Sequence, residues 1–132
     1  MQSKRTIVIL CVLMITTIYG FCESGRVLLC EETEIYRKPS PDNYLEIVAT
    51  RENCGATVSF VYNIYIVKNG EEYLHSEVFR AIRYDRINAE WISNEDILIS
   101  YNNATIINSK KKWSSLLAGV YTRSVHIKYE HI

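Results

Sequence analysis

The stretch 51–67, RENCGATVSFVYNIYIV, decides the fold. Cys54 and Gly55 mark a turn, with Gly55 suited to a positive φ, and from Ala56 onward the chain alternates. Ala56, Val58, Phe60, Tyr62, Ile64 and Ile66 share one face; Thr57, Ser59, Asn63 and Tyr65 share the other, with Val61 and Val67 among them. Side chains on a strand point alternately to opposite faces, so period-two alternation rich in β-branched and aromatic residues predicts a half-buried strand. A strand of that length needs partners on both edges, and the rest of the chain is expected to supply them.

Outward from this stretch, the segments read as short strands between turns. Upstream, 44–50 (YLEIVAT) alternates as a strand, preceded by a turn at 39–43 (PSPDN), where proline fixes φ and Asp or Asn bonds its own backbone. Residues 27–30 (VLLC) form a short first edge strand, and 31–38 is polar and charged. Downstream, Asn69-Gly70 is a hairpin-type turn. Strands are then expected over 77–84, 87–92, 97–101, 104–107 and 124–129, the middle ones forming a meander of antiparallel neighbours. Ile87, Ala89 and Trp91 fall on one face. Residues 110–118 are either one or two helical turns stopped by Gly119 or a long loop. About seven strands with turns between them predict an all-β domain, a single small antiparallel sheet or a sandwich, preceded by an apolar N-terminal helix.

That N-terminal segment has the pattern of an export signal. Lys4 and Arg5 precede an apolar run at 7–18 (IVILCVLMITTI), with Gly20, Cys22 and Ser24 close behind. A basic start followed by a short apolar core is the pattern of a secretory signal peptide. Twelve residues are few for a bilayer span, which takes about 20, yet there is no clean small-x-small cleavage site. Residues 1–22 are therefore expected to be a signal peptide or an uncleaved signal anchor, and 27–132 the all-β domain. Of 15 basic residues, removing Lys4 and Arg5 leaves 13 against 15 acidic ones, a formal charge of −2. Such a balance lacks the basic face that nucleic-acid binding requires.

A domain of this size buries one modest core and gains from a staple. Cys11 and Cys22 lie in the leader, so Cys30 and Cys54 are the pair well inside the domain. In an oxidising compartment such a pair predicts a structural disulfide. Neither cysteine sits in a CxxC or Cys-His spacing, so neither metal nor cofactor is expected.

Ser40-Pro41-Asp42, then Cys54-Gly55-Ala56-Thr57, then Trp91-Ile92-Ser93-Asn94 with Ile97-Leu98-Ile99-Ser100-Tyr101, and finally 125–129 (VHIKY) resemble a group of small exported bacterial proteins of unknown function. In that group a Ser-Pro-Asp-Gly turn precedes a strand ending in Cys-Gly-Ala-Thr, and a Trp-containing hairpin follows. The likeness spans nearly all of 27–129. Asn43 stands where the group has glycine, a change that asparagine tolerates in the left-handed region. The resemblance implies a bacterial envelope location and an all-β fold, and it brings no activity with it.

No catalytic constellation is legible. His75, His126 and His131 are not in HExxH spacing, and His126, between Val125 and Ile127, is expected to face solvent. There is no GxSxG elbow, and Asp42, Asp85 and Asp96 sit in turns where Asp is common. Lys110, Lys111 and Lys112 form a solvated run or an anionic-lipid contact. Ten tyrosines, several in strand segments, suit core capping or an exposed interface row. The expected function is that of a non-catalytic protein-binding module in the bacterial periplasm or envelope, working through a sheet face or edge. Its partner would be an envelope or toxin protein, as for an immunity or inhibitor protein. Membrane contact is expected only through an uncleaved leader. The alternatives are a small envelope hydrolase using His126 with Asp and Ser, or a structural envelope component.

Overall fold

A computed structural model describes residues 7–9, 30–73, 76–117 and 120–132. Most of the leader, Cys11 and Cys22, the expected strand at 27–29, His75 and Gly119 lie outside them. The chain divides into two compact units, Met1–Glu31 and Glu32–Ile132. In the first unit, residues 7–9 are helical and exposed. Among the described residues no helix is long and apolar enough to cross a membrane.

The second unit is a β-sandwich. Nine strands are present among the described residues: β1 Glu31–Pro39, β2 Leu45–Asn53, β3 Val61–Lys68, β4 Glu77–Ile82, β5 Arg86–Trp91, β6 Asp96–Asn102, β7 Thr105–Ser109, β8 Lys112–Leu117 and β9 Val120–His131. They form a five-stranded sheet, β1-β2-β3-β4-β7, and a four-stranded sheet, β5-β6-β9-β8. The expected all-β class holds, as a sandwich.

Alternation places the core between the sheets. Ile47 lies opposite Ile66 and Ala49 opposite Ile64 on the inner face of the first sheet. Ala89 lies opposite Ile99 and Trp91 opposite Ile97 on the second, so Ile87, Ala89 and Trp91 share a face as their spacing predicts. Phe79 is fully buried, its ring centroid 5.9 Å from Tyr129 and 6.2 Å from Tyr101 across the gap. Burying a side chain of this kind contributes about 1.5–3 kcal/mol.

One side of the sandwich is closed by side chains reaching between edge strands. Lys38 Nζ donates to Asn88 Oδ1 (2.9 Å) and to the Ala89 carbonyl (3.0 Å). Trp91 Nε1 donates to the Lys38 carbonyl (2.9 Å), and the Ala89 N–H to Tyr36 Oη (3.1 Å). The segment 31–38, expected only as a polar stretch, is the edge strand β1, paired with β2, and these bonds tie it to the facing sheet. Its charged sequence suits an edge, where polar residues deter pairing with other chains.

Four other expectations are corrected. Strand β3 begins at Val61, and 54–60 is an exposed loop. Residues 112–117 are strand β8, which pairs with β9 and is neither helical turn nor loop. The meander breaks after β6, because β7 crosses to pair with β4. Strand β9 extends to His131 and runs parallel to β6, a pairing that needs a long connection. The turn residues behave as their chemistry demands: Asn43 has φ 61° and Gly55 φ 114°.

Cys30 and Cys54 are joined in a disulfide. Arg37 pairs with Glu46 (3.0 Å) and Thr50 Oγ1 donates to Glu32, so partners run in opposite directions and β1–β2 is an antiparallel hairpin. Cys30 immediately precedes β1 and Cys54 immediately follows β2, so the crosslink joins the residues flanking the hairpin's open end.

Candidate functional site

Three regions gather polar or exposed aromatic side chains. The first is the end that carries the 40–44 turn. Ser40 is buried; its Oγ donates to Asp42 Oδ1 (2.7 Å) and accepts from the Leu45 N–H (3.0 Å). The Asp42 N–H donates to Asn94 Oδ1 (3.0 Å), and Arg123 meets the Asp42 carboxylate at 2.6 Å while lying over the Tyr44 ring at 5.1 Å. The bond from Ser40, then Arg123 and the Tyr44 N–H, hold the Asp42 carboxyl below the usual carboxylate range. The Ser-Pro-Asp turn, the Trp hairpin and β9 are thus tied together, and the polar groups named satisfy one another. That is a clasp.

The second region is the outer face of the five-stranded sheet. Arg80 lies between Glu52 (3.1 Å) and Glu77 (3.5 Å), and Arg37 between Glu34 and Glu46. Tyr65 Oη donates to Glu32 (2.9 Å). Burial, then the neighbouring Glu32, push the Tyr65 phenol well above its usual range. Val48, Thr50, Asn63 and Val67 at the centre are buried. A covered centre offers little to a partner, so the expected sheet-face surface does not lie here. Tyr62 and Tyr65 are buried, and Tyr101 and Tyr129 pack against the core. Among the described residues, these strand tyrosines cap the core and form no exposed row.

The third region is the opposite end, built by the 54–60 loop and the 83–85 connection. The loop turns at Gly55, whose N–H donates to Asn53 Oδ1 (3.1 Å), and the Val58 N–H donates back to the Gly55 carbonyl (3.3 Å). This geometry leaves Val58 53% and Phe60 46% exposed. The Arg51 guanidinium lies 4.9 Å from the Phe60 ring centroid, a cation–π contact that orients it. Tyr84 meets Tyr62 edge to face at 5.2 Å, and Tyr62 Oη donates to Tyr36 Oη (3.3 Å), which anchors the aromatic side chains in the core. Burial raises the Tyr84 phenol, while the positive charge of Arg51 opposes the shift. Ser59, Phe60, Arg83 and Tyr84 line an open depression of about 320 Å³.

Charge at this end is unbalanced. Arg51, Arg83 and Arg86 are exposed and make no ion pair among the described residues. Of the nearby acids, Glu52 is paired with Arg80, and Asp85 accepts from Asn103 Nδ2 (2.5 Å) and keeps its charge, one against the three arginines. Arg83 also has φ 51°, a left-handed conformation that costs a non-glycine residue about 1–2 kcal/mol and is found disproportionately at functional positions.

The remaining sequence candidates are placed plainly. With both sulfurs in the disulfide, neither Cys30 nor Cys54 is a thiolate able to hold a metal. A Glu52 carboxylate oxygen lies 3.3 Å from Cys54 Sγ. His126 is exposed on the four-stranded sheet, opposite Asp96, whose carboxylate takes a bond from Ser93 Oγ (3.0 Å) and pairs with Lys128 (3.3 Å). The arginine and aromatic end is a candidate that the sequence pattern did not mark. Its signal was Val58 and Phe60 beside a turn, read as strand.

No protein family, curated protein or solved structure matches this chain. The fold and site define a β-sandwich bearing a cationic and aromatic surface at one end.

Proposed function

We propose that this chain is an exported bacterial envelope protein that acts by binding another protein, as an immunity or inhibitor module does, without catalysing a reaction. The observation that carries the reading is the end surface, where exposed Phe60, the half-buried Tyr84 and Arg83 line a depression, with Arg51 against Phe60 and Val58 exposed in the same loop. Tyrosine and arginine are enriched among the residues that dominate protein-binding energy. Neighbouring exposed apolar and aromatic side chains rimmed by charged groups have the make-up of a protein-binding patch. Export is supported by the basic start and apolar run at 7–18, and the disulfide is compatible with an oxidising compartment. The envelope setting rests on the resemblance of the turn, Cys-Gly-Ala-Thr and hairpin motifs.

The test is non-reducing affinity capture of the tagged protein from its native envelope, with identification of what is bound. One stoichiometric protein, lost when Phe60 is replaced by serine, supports the reading. Repeated capture of nothing rejects it. The mass of the mature protein tests export, with loss of roughly the first 22 residues expected for a cleaved leader.

A further inference from the structure

The geometry points to the chemistry of the partner: the end surface takes a segment of another protein in which carboxylates flank an apolar side chain. This rests on the protein-binding reading and adds what is bound and where. The charge is the first argument. Among the described residues Arg51, Arg83 and Arg86 make no ion pair; Glu52 is paired with Arg80, and Asp85, bonded to the neutral Asn103 amide, is one negative charge against three positive ones. An incoming carboxylate therefore meets a net positive charge. All three are arginines, whose planar guanidinium groups bind carboxylates through two parallel hydrogen bonds.

Shape is the second argument. The depression lined by Ser59, Phe60, Arg83 and Tyr84 is concave and carries its aromatic rings beside a cation. A concavity of about 320 Å³ accepts a protruding side chain, whereas a lipid surface is better met by side chains that protrude into it. The Arg51–Phe60 contact holds one guanidinium in place before binding, which lowers the ordering cost. The strain at Arg83 has a use under this arrangement. A left-handed residue there turns the chain at the lip of the depression and presents the arginine.

The experiment is an NMR titration of the oxidised, isotope-labelled full chain with the synthetic peptide acetyl-Gly-Asp-Leu-Glu-Phe-Asp-Gly-amide. Two control peptides carry lysine in place of each acid, or serine in place of Leu and Phe. The acidic apolar peptide is expected to shift amides at 51–60 and 83–86 and to bind at least tenfold more tightly than either control. The R51E/R83E double variant should lose at least tenfold, as should the milder R51Q/R83Q and F60S if charge reversal disturbs folding. Equal binding of the lysine peptide, shifts confined to other surfaces, or no shift at millimolar peptide overturns the proposal. Binding to phosphatidylglycerol vesicles that depends on Arg51 and Arg83, with none to the peptide, overturns it in favour of a membrane. Envelope capture separates the two levels. A partner still held by R51E/R83E rejects this site and leaves protein binding standing; a wild-type blank rejects protein binding itself.

Discussion

Replacing Cys30 and Cys54 together by alanine should cost the fold about 3.5 kcal/mol. The figure follows from the 25 residues the crosslink encloses, through the closure entropy removed from the unfolded chain. Alanine is the right replacement, because the Glu52 carboxylate 3.3 Å from Cys54 Sγ would take a new hydrogen bond from serine. The loss should concentrate in β1. Its first five residues are exposed, and beyond its ladder to β2 it is tied by the side chains of Glu32, Tyr36, Arg37 and Lys38. A domain of roughly 100 residues has a total stability of about 5–15 kcal/mol, so this loss should lower Tm by roughly 15–25 °C. Urea unfolding of oxidised wild type and the double variant measures it. The m-value should rise in the variant, whose unfolded chain is less constrained. Reduced wild type should fall on the variant's curve. A loss below about 1 kcal/mol, or alkylation of both cysteines without prior reduction, would refute the staple.

Three further outcomes are expected. Phe79→Ala removes a fully buried ring packed against Tyr101 and Tyr129 and should cost about 3–5 kcal/mol in urea unfolding; a loss under 1 kcal/mol would mean the sheets do not meet there. Arg83→Gly relieves φ 51° and should stabilise the fold by up to about 1 kcal/mol while weakening the acidic peptide, and a destabilised variant would contradict the strain. The Asp42 and Asp96 carboxyls are held below their usual range, chiefly by bonds from Ser40 and Ser93. Their contribution is therefore present above the unfolded value of about 3.9 and lost as pH falls below it. D42N should melt below wild type at pH 6 and converge with it near pH 2. A gap independent of pH would show that the Asp42 charge does not hold the clasp.

Much of the sandwich was legible because the core-facing residues of its strands recur at every second position. Ile87, Ala89 and Trp91, and Tyr62, Ile64 and Ile66, announce their faces by spacing alone. Asn43 and Gly55 announce their positive φ by residue type. Strand β1 was not legible, because an edge strand held by Lys38 and Tyr36 side chains carries no apolar alternation. The parallel β6–β9 pair is a non-local choice that no local pattern encodes. The candidate site was hidden for a sharper reason. Ala56, Val58 and Phe60 continue the alternation of β3, yet they lie in an exposed loop. Exposed apolar residues in a loop can copy the pattern of a core-facing strand, and such conflicts between local pattern and fold gather at functional sites.

The central claim, that this domain works by holding another protein at its arginine and aromatic end, is met most directly by one comparison. Wild type and R51E/R83E, both tagged and oxidised, are used in parallel to capture partners from the native envelope, with bound proteins quantified by mass spectrometry. The account predicts one stoichiometric protein on the wild type, depleted at least tenfold on the variant. A protein retained equally by both would contradict the site, and an empty wild-type capture would contradict the function.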